Sequence, residues 1–340
     1  MPDGQPISRR VTISDVAEAA GVTKGTVSRA LSGAPGIAEA TRLRVRRAAE
    51  RMGYRPLVQA QSIRTGRAGA LGLVIDAAEP DAHAPFLMEF LSGLTRAASA
   101  AGLTVSIASA RGEAEMRAAL ATLAEDRKAD GFVLPRTGRI DPRADFLDAR
   151  GIPYVLYGRT AAPGRASYDL AGEVAMRRAC LRLAALGHAS IGFLGSGETY
   201  NFTHLRREGA SAGAAEAGVR LCERSGAMSR EEAATLAGEL MGEGATAIVA
   251  ATDVLALGAY DAARARGLSV GREVSVIGYD GIMEGRHAVP PLTTFAVDAA
   301  RAGERVAQLL VRRIAGEPAG ALQELETPRL RDGGSVGPPA

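Results

Sequence analysis

The 340-residue chain has only two cysteines, Cys180 and Cys222, and they are not in a CxxC spacing. A disulfide framework is therefore excluded, and no metal site is expected. No apolar run approaches the roughly 18–20 residues of a membrane span, so no membrane partner is expected. Met1 to Arg10 is polar and lacks the apolar segment of a secretory signal, which makes the expected location cytoplasmic. Enzyme signatures are missing as well: there is no GxSxG elbow, HExxH pair or P-loop. The four histidines (83, 188, 204, 287) are scattered, and His188 reads as a packing or capping residue before a strand. Gly195-Ser196-Gly197-Glu198-Thr199-Tyr200 begins like a dinucleotide fingerprint, but its third glycine is absent and it reads better as a cleft loop. No catalytic residue and no cofactor is assigned.

What is present is ordinary globular composition, 46% hydrophobic and 23% charged, at a length that predicts two to three domains. The charge is unevenly placed. Residues 1–67 carry 12 Lys/Arg against 5 Asp/Glu, and the remainder carries 29 against 33. A basic head on a mildly acidic body suggests that only the head meets a polyanion, the bland alternative being a solvated basic helix face.

The order of residues in the head favours the first reading. Thr12 with Asp15 forms a capping pattern, Val16, Ala17 and Ala20 share one helical face, and Gly21 supplies a left-handed stop. Thr23 can cap a second helix, Lys24 to Leu31, with Val27 and Leu31 facing inward. Ser32 to Gly36 breaks the chain. A third helix from about Glu39 to Met52 offers Leu43, Val45, Ala48, Ala49 and Met52 as an apolar face among five arginines. This is an all-α helix-turn-helix unit whose second helix would enter the major groove of DNA.

The run Val11 to Thr23, then Thr26-Val27-Ser28-Arg29-Ala30-Leu31, Thr41-Arg42, Val45 and Gly53-Tyr54-Arg55-Pro56, resembles the DNA-binding head of the lactose-repressor (LacI/GalR) family. Lys24, Gly25 and Arg29 would face base edges, with Gly25 offering only backbone. Thr12, Ser14, Thr26, Ser28, Ser32 and Thr41 are better suited to phosphate oxygens. The resemblance implies a domain over 1–56 and a hinge over 57–67 that becomes helical on operator DNA. Ile63 would wedge into the minor groove with Arg64 beside it, although the usual Leu is replaced by Ile63 and the usual Asn by Leu57. An ordinary flexible linker is the competing reading there.

From residue 70 the pattern changes to β-rich runs at 71–75, 103–107, 131–134 and 154–157, about 30 residues apart, as in parallel βαβ units. It restarts at 191–194, 247–250 and 274–278. Two such sets predict an α/β body of two lobes with ligand held between the carboxyl ends of the strands. Leu186-Gly187-His188, Arg206-Arg207-Glu208-Gly209, Val276-Ile277-Gly278-Tyr279-Asp280 and Pro290-Pro291-Leu292-Thr293-Thr294 extend the same family resemblance, and the lobes resemble periplasmic sugar-binding proteins.

The resemblance implies chain crossings near 168, 297 and 326. Lobe 1 is then about 68–168 and 298–325, and lobe 2 about 169–297 and 326–332. It also implies Arg206 and Asp280 as the main contacts of a sugar-like effector, with Asp76 a further polar contact. Thr252 stands where many members carry Asn, and Phe86 and Tyr168 would give the apolar wall. Asp253 reads equally as a cap for a helix over 254–266, and Phe86 as core. The tail 333–340, rich in Gly and Pro and without a leucine heptad, is expected to be disordered.

The function implied is a repressor working as a homodimer on a pseudo-palindromic double-stranded operator. Two rival readings are a DNA-binding regulator with no effector and a transport-type sugar-binding protein. The second lacks support, because such a protein would need a signal peptide and no basic head.

Overall fold

The computed structural model describes residues 11–54, 67–77, 84–197 and 200–340, in two compact units that divide after Ala68. The hinge residues Leu57, Ile63 and Arg64 lie outside the described residues.

In the first unit, α1 (Ile13–Ala20), α2 (Lys24–Leu31) and α3 (Glu39–Arg51) enclose a small core of Val16, Ala17, Ala20, Val27, Ala30, Val45, Ala48 and Ala49. The local signals act as expected. The Thr12 hydroxyl accepts from the Asp15 amide and the Asp15 carboxylate accepts from the Thr12 amide. Gly21 ends α1 at φ 61°, and Thr23 caps α2. Leu43 departs from expectation: it is 46% exposed. At about 100° per residue it points about 200° away from Val45, so the 45/48/49 face leaves it in solvent.

Among the described residues, the second unit holds two six-stranded sheets. The chain runs β1 (Ala70–Asp76), α4 (Ala84–Ala100), β2 (Thr104–Ala110), α5 (Gly112–Glu125), β3 (Gly131–Leu134), α6 (Pro142–Asp148), β4 (Tyr154–Tyr157) and β5 (Ser167–Leu170). It continues with α7 (Gly172–Ala185), β6 (Ser190–Leu194), α8 (Asn201–Ala217), β7 (Arg220–Arg224), α9 (Arg230–Gly242), β8 (Ala247–Ala250), α10 (Asp253–Ala265), β9 (Ser275–Asp280), α11 (Met283–His287) and β10 (Thr293–Ala296). Last come α12 (Ala299–Ile314), β11 (Gln323–Glu326) and β12 (Arg329–Arg331). The sheet orders are β11-β5-β4-β3-β1-β2 and β12-β10-β9-β8-β6-β7. All pairs are parallel except β12 with β10.

The chain passes between the sheets three times, between β5 and α7, between β10 and α12, and between β11 and β12. In each sheet the strand order reverses beside the first strand, β1 or β6, which opens a crevice at the carboxyl ends of the strands. Among the described residues, no helix is long and apolar enough to cross a membrane.

The tail corrects the sequence reading. Residues 333–340 are not disordered but packed on the second sheet, with Ser335 fully buried. Its hydroxyl accepts from the Thr293 amide at 2.8 Å and donates to the Val276 carbonyl at 2.6 Å, and its carbonyl accepts from the Val276 amide at 2.8 Å. His188 and Ser275 both meet the Gly337 carbonyl, at 2.9 Å each. The glycines permit this close approach: a Cβ on Gly333 would lie 2.2 Å from the Pro291 carbonyl oxygen, and one on Gly337 2.4 Å from that of Gly271.

Candidate functional site

The head presents one chemically distinct face. On α2, Val27 and Ala30 are wholly buried, so Lys24, Gly25 and Arg29 fall on the exposed side. Thr12 and Ser32 are exposed, and Ser14, Thr26, Ser28 and Thr41 are half-buried. Several of these hydroxyls already serve the fold. Thr12 donates to Asp15 at 2.8 Å, Thr26 meets Thr23 at 3.0 Å, and Ser32 donates to the Arg29 carbonyl at 3.2 Å. Arg42 donates to the Ala34 carbonyl and ties the loop after α2 to α3.

In the body, a cavity of about 510 Å³ lies between the carboxyl ends of the two sets of strands. Five of the six expected effector residues line it: Asp76 at the end of β1, Phe86 on α4, Arg206 on α8, Thr252 before α10, and Asp280 at the end of β9. Tyr168 does not. It is 1% exposed and packs in the core of the first lobe. Neighbouring residues of a strand point to opposite faces, so with Tyr168 turned inward it is Asp169 that reaches the cavity.

Arg206 is held from three sides. Its guanidinium carbon lies 3.5 Å from the Tyr279 ring centroid and 4.7 Å from that of Phe202, and Nη1 donates to the Ala251 carbonyl. Its buried Nε has no hydrogen-bond partner among the described residues. Asp280 sits at φ 117°, a strained conformation for a residue with a side chain. The turn after it is fixed by Asp253, whose carboxylate accepts from the amides of Gly281 (2.7 Å) and Ile282 (2.9 Å) and from the Thr294 hydroxyl (2.6 Å). The cap of α10 is Thr252, which accepts from the Leu255 amide; Asp253 is instead a wholly buried buttress. Burial pushes the Asp280 carboxyl up to about 7; Arg206 opposes the shift and Asp253 adds to it.

Several site residues escaped the sequence reading. Asp169, raised by burial, faces Arg159 at 2.5 Å, and Arg159 also reaches Glu173 at 2.9 Å. Arg143 grips Asp141 at 2.7 Å. Arg136, at φ 53°, has its pKa lowered by burial, an effect that the charge of Asp76 opposes. The one available signal was strand alternation through Ser167-Tyr168-Asp169-Leu170, and it required recognising β5 first. The loop at 195–200 does reach the cleft through Tyr200. Next to it Asn201 joins the lobes: its amide donates to the Thr137 carbonyl at 2.9 Å and its side chain to the Arg159 carbonyl at 2.7 Å.

A family model for bacterial regulatory proteins of the lacI family matches residues 12–56, and one for a periplasmic binding protein-like domain matches 181–336. The regulator AglR of Rhizobium meliloti is 32% identical over 96% of this chain and 95% of its own length. The regulator CelR of Thermobifida fusca is 32% identical over 91% of this chain and 93% of its own. The chain belongs to the lacI family.

As a lacI-family protein it is a DNA-binding transcriptional regulator built from a helix-turn-helix head and a two-lobed α/β body. Among solved structures, a complex of the transcriptional regulator CelR with cellobiose is similar at TM-score 0.73 and 28% identity, covering 96% of this chain and all of that one. The Lac repressor dimer bound to operator and the anti-inducer ONPF has the same fold, at TM-score 0.83 and 24% identity over 97% of this chain and all of that one.

Proposed function

We propose that this lacI-family regulator is a cytoplasmic repressor whose affinity for a pseudo-palindromic operator is set by a sugar-like effector bound between the two lobes. Lys24 and Arg29 read base edges from α2, and Thr12, Ser14, Thr26, Ser28, Ser32 and Thr41 fix the register on phosphates. Ile63 and Arg64 of the hinge complete the contact in the minor groove. Two-fold symmetry of a homodimer then requires two-fold symmetry in the DNA.

One observation carries the effector half of this reading: the buried Arg206 Nε, without a partner, on the same cavity wall as Asp280. A guanidinium N–H and a carboxylate together serve vicinal hydroxyls, donating to one and accepting from the other. Asp76 and Thr252 add polar contacts, and Phe86 adds an apolar surface. The solved CelR–cellobiose and Lac repressor–operator complexes support the two halves of the reading by analogy.

The test begins with selection of bound sequences from randomised duplex DNA. A pseudo-palindrome is expected, lost when residues 1–67 are deleted. Mobility shifts on the selected site, with and without saccharides, then read the effector. A selected site without two-fold symmetry would refute the dimer reading, and an operator affinity unmoved by any saccharide would refute the effector reading.

A further inference from the structure

We propose that the cleft takes a neutral saccharide of two or three rings, in preference to a single hexose or a phosphorylated sugar. This rests on the effector reading above, and the size of the cavity supports it. A water molecule takes about 30 Å³ in the liquid, and a hexopyranose, with its atoms bonded and closer packed, on the order of 200 Å³. The 510 Å³ cavity would be left more than half empty by one hexose. Binding sites bury most of their ligand's surface, which a single hexose in so large a space would not achieve.

The charge of the cavity wall points the same way. Among the described residues four arginines and five carboxylates line the cavity, and two of the arginines are held in ion pairs. Arg143 is paired with Asp141, and Arg159 with Asp169 and Glu173. Arg136 feels Asp76, and Arg206 feels Asp280. A phosphate would add a charge of about −1.5 to −2 to a wall on which, among the described residues, carboxylates already outnumber arginines. Neutral hydroxyls suit such a wall, because each paired ion keeps lone pairs or N–H groups free for hydrogen bonds.

Apolar surface is present on both lobes. The first lobe offers the stacked pair Phe86 and Tyr157, with ring centroids 5.4 Å apart and planes at 14°. The second offers Tyr200 and Phe202, at 5.4 Å and 8°. All four line the cavity. Pyranose rings carry C–H groups on their faces, which pack on flat aromatic surface. A single hexose has only two faces to offer such surface, whereas two or three rings bring more C–H area to cover aromatic pairs on both lobes. Covering them removes apolar area from water and adds to affinity.

Calorimetric titration of the full chain tests this with glucose, galactose and mannose, their α- and β-linked di- and trisaccharides, and the corresponding hexose 6-phosphates. At least one di- or trisaccharide is expected to bind tenfold or more tighter than its own monomer, and each 6-phosphate more weakly than its neutral parent. Phe86→Leu keeps apolar bulk but loses the flat face. It is expected to weaken the longer saccharide more than the hexose, and so to shrink that advantage several-fold, while operator affinity without effector and Tm stay close to those of the parent protein. A hexose that binds as tightly as its oligomers, a 6-phosphate that binds more tightly than its parent, or an undiminished advantage in Phe86→Leu would overturn the inference and leave the effector reading standing. If no saccharide in the panel bound while operator binding persisted, the effector reading itself would fall.

Discussion

The head and the body are both rich in arginine, but ion pairs hold a larger share of it in the body. In the head, Arg29, Arg44, Arg46, Arg47 and Arg51 are exposed and, among the described residues, make no ion pair. In the body many arginines are paired with carboxylates, although others, among them Arg127, Arg178, Arg286 and Arg329, are exposed and make no ion pair among the described residues. Arg230 holds Asp261 through two nitrogens at 2.6 and 2.8 Å, Arg177 holds Glu216, Arg305 holds Glu324, and Arg312 holds Glu317. Net charge and pairing together favour the head as the surface that recruits a polyanion. An unpaired exposed cation loses little by meeting a phosphate, whereas a paired one must first give up its carboxylate.

The largest effect expected from this contrast is on salt dependence. A dimer that makes six or more phosphate contacts should lose roughly a thousandfold in operator affinity between 50 and 200 mM salt. Effector binding, among internally balanced charges, should change little over the same range. Fluorescence titration of operator and calorimetry of effector at both salts check the pair; a flat operator response would break the comparison.

Next in size is the cleft carboxylate. Asp280→Asn keeps the shape and removes the charge and a strong acceptor, so effector contacts should weaken by about 1.5–3 kcal/mol, or roughly 10- to 150-fold. Operator affinity without effector should stay near that of the parent. The same group sets a pH dependence. Its folded pKa of about 7 lies above the usual carboxylate value, so the effector-free body is favoured at low pH and loses stability as pH rises from about 4 to 7. Effector hydroxyls favour the ionised form, so binding releases a proton. Affinity should therefore rise with pH and level off above 7, being about tenfold weaker at pH 6 than at pH 8. In Asp280→Asn that slope should flatten, and a slope that persisted would assign it to another group.

The parts of this arrangement that were legible in the sequence were those written in local chemistry. Thr12 with Asp15, Gly21 and Thr23 mark helix ends through their own hydrogen bonds and backbone angles, and these marks survive in any packing. Arg206 and Asp280 were reached by resemblance, and the structure places both on the cavity wall. What stayed hidden depends on tertiary packing. β5, β11 and β12 are three or four residues long and carry polar or charged side chains, so alternation in them is too brief to read. Missing β5 put Tyr168 in place of Asp169. The tail misled for a different reason: glycine is the residue both of a floppy chain and of one pressed against another backbone, and only the partner distinguishes the two.

Within the body, the tail sharpens the contrast by showing where its stability resides. Ser335→Ala removes one hydroxyl and strands the Thr293 amide and part of the Val276 carbonyl's bonding in a fully buried setting. Leaving such groups unpaired costs about 1–3 kcal/mol, which chemical denaturation would read as a lower midpoint at unchanged slope. An unchanged midpoint would show that the segment is dispensable.

The smallest effect belongs to the body's surface pairs. The Arg230 side chain is 46% exposed and that of Asp261 32%, so water and salt screen their attraction although the contact is bidentate. Exposed pairs of this kind contribute roughly 0–1 kcal/mol, because the Coulomb gain is small and two side chains must be ordered to obtain it. Arg230→Ala should therefore lower stability by less than about 1 kcal/mol and leave operator affinity and its salt slope unchanged. Arg46→Ala, the loss of one unpaired cation in the head, should leave stability alone and weaken operator binding at low salt more than at high salt. Denaturation and operator titration on the two variants complete the comparison. If Arg230→Ala weakened operator binding as much as Arg46→Ala, pairing would not be what separates the two kinds of arginine.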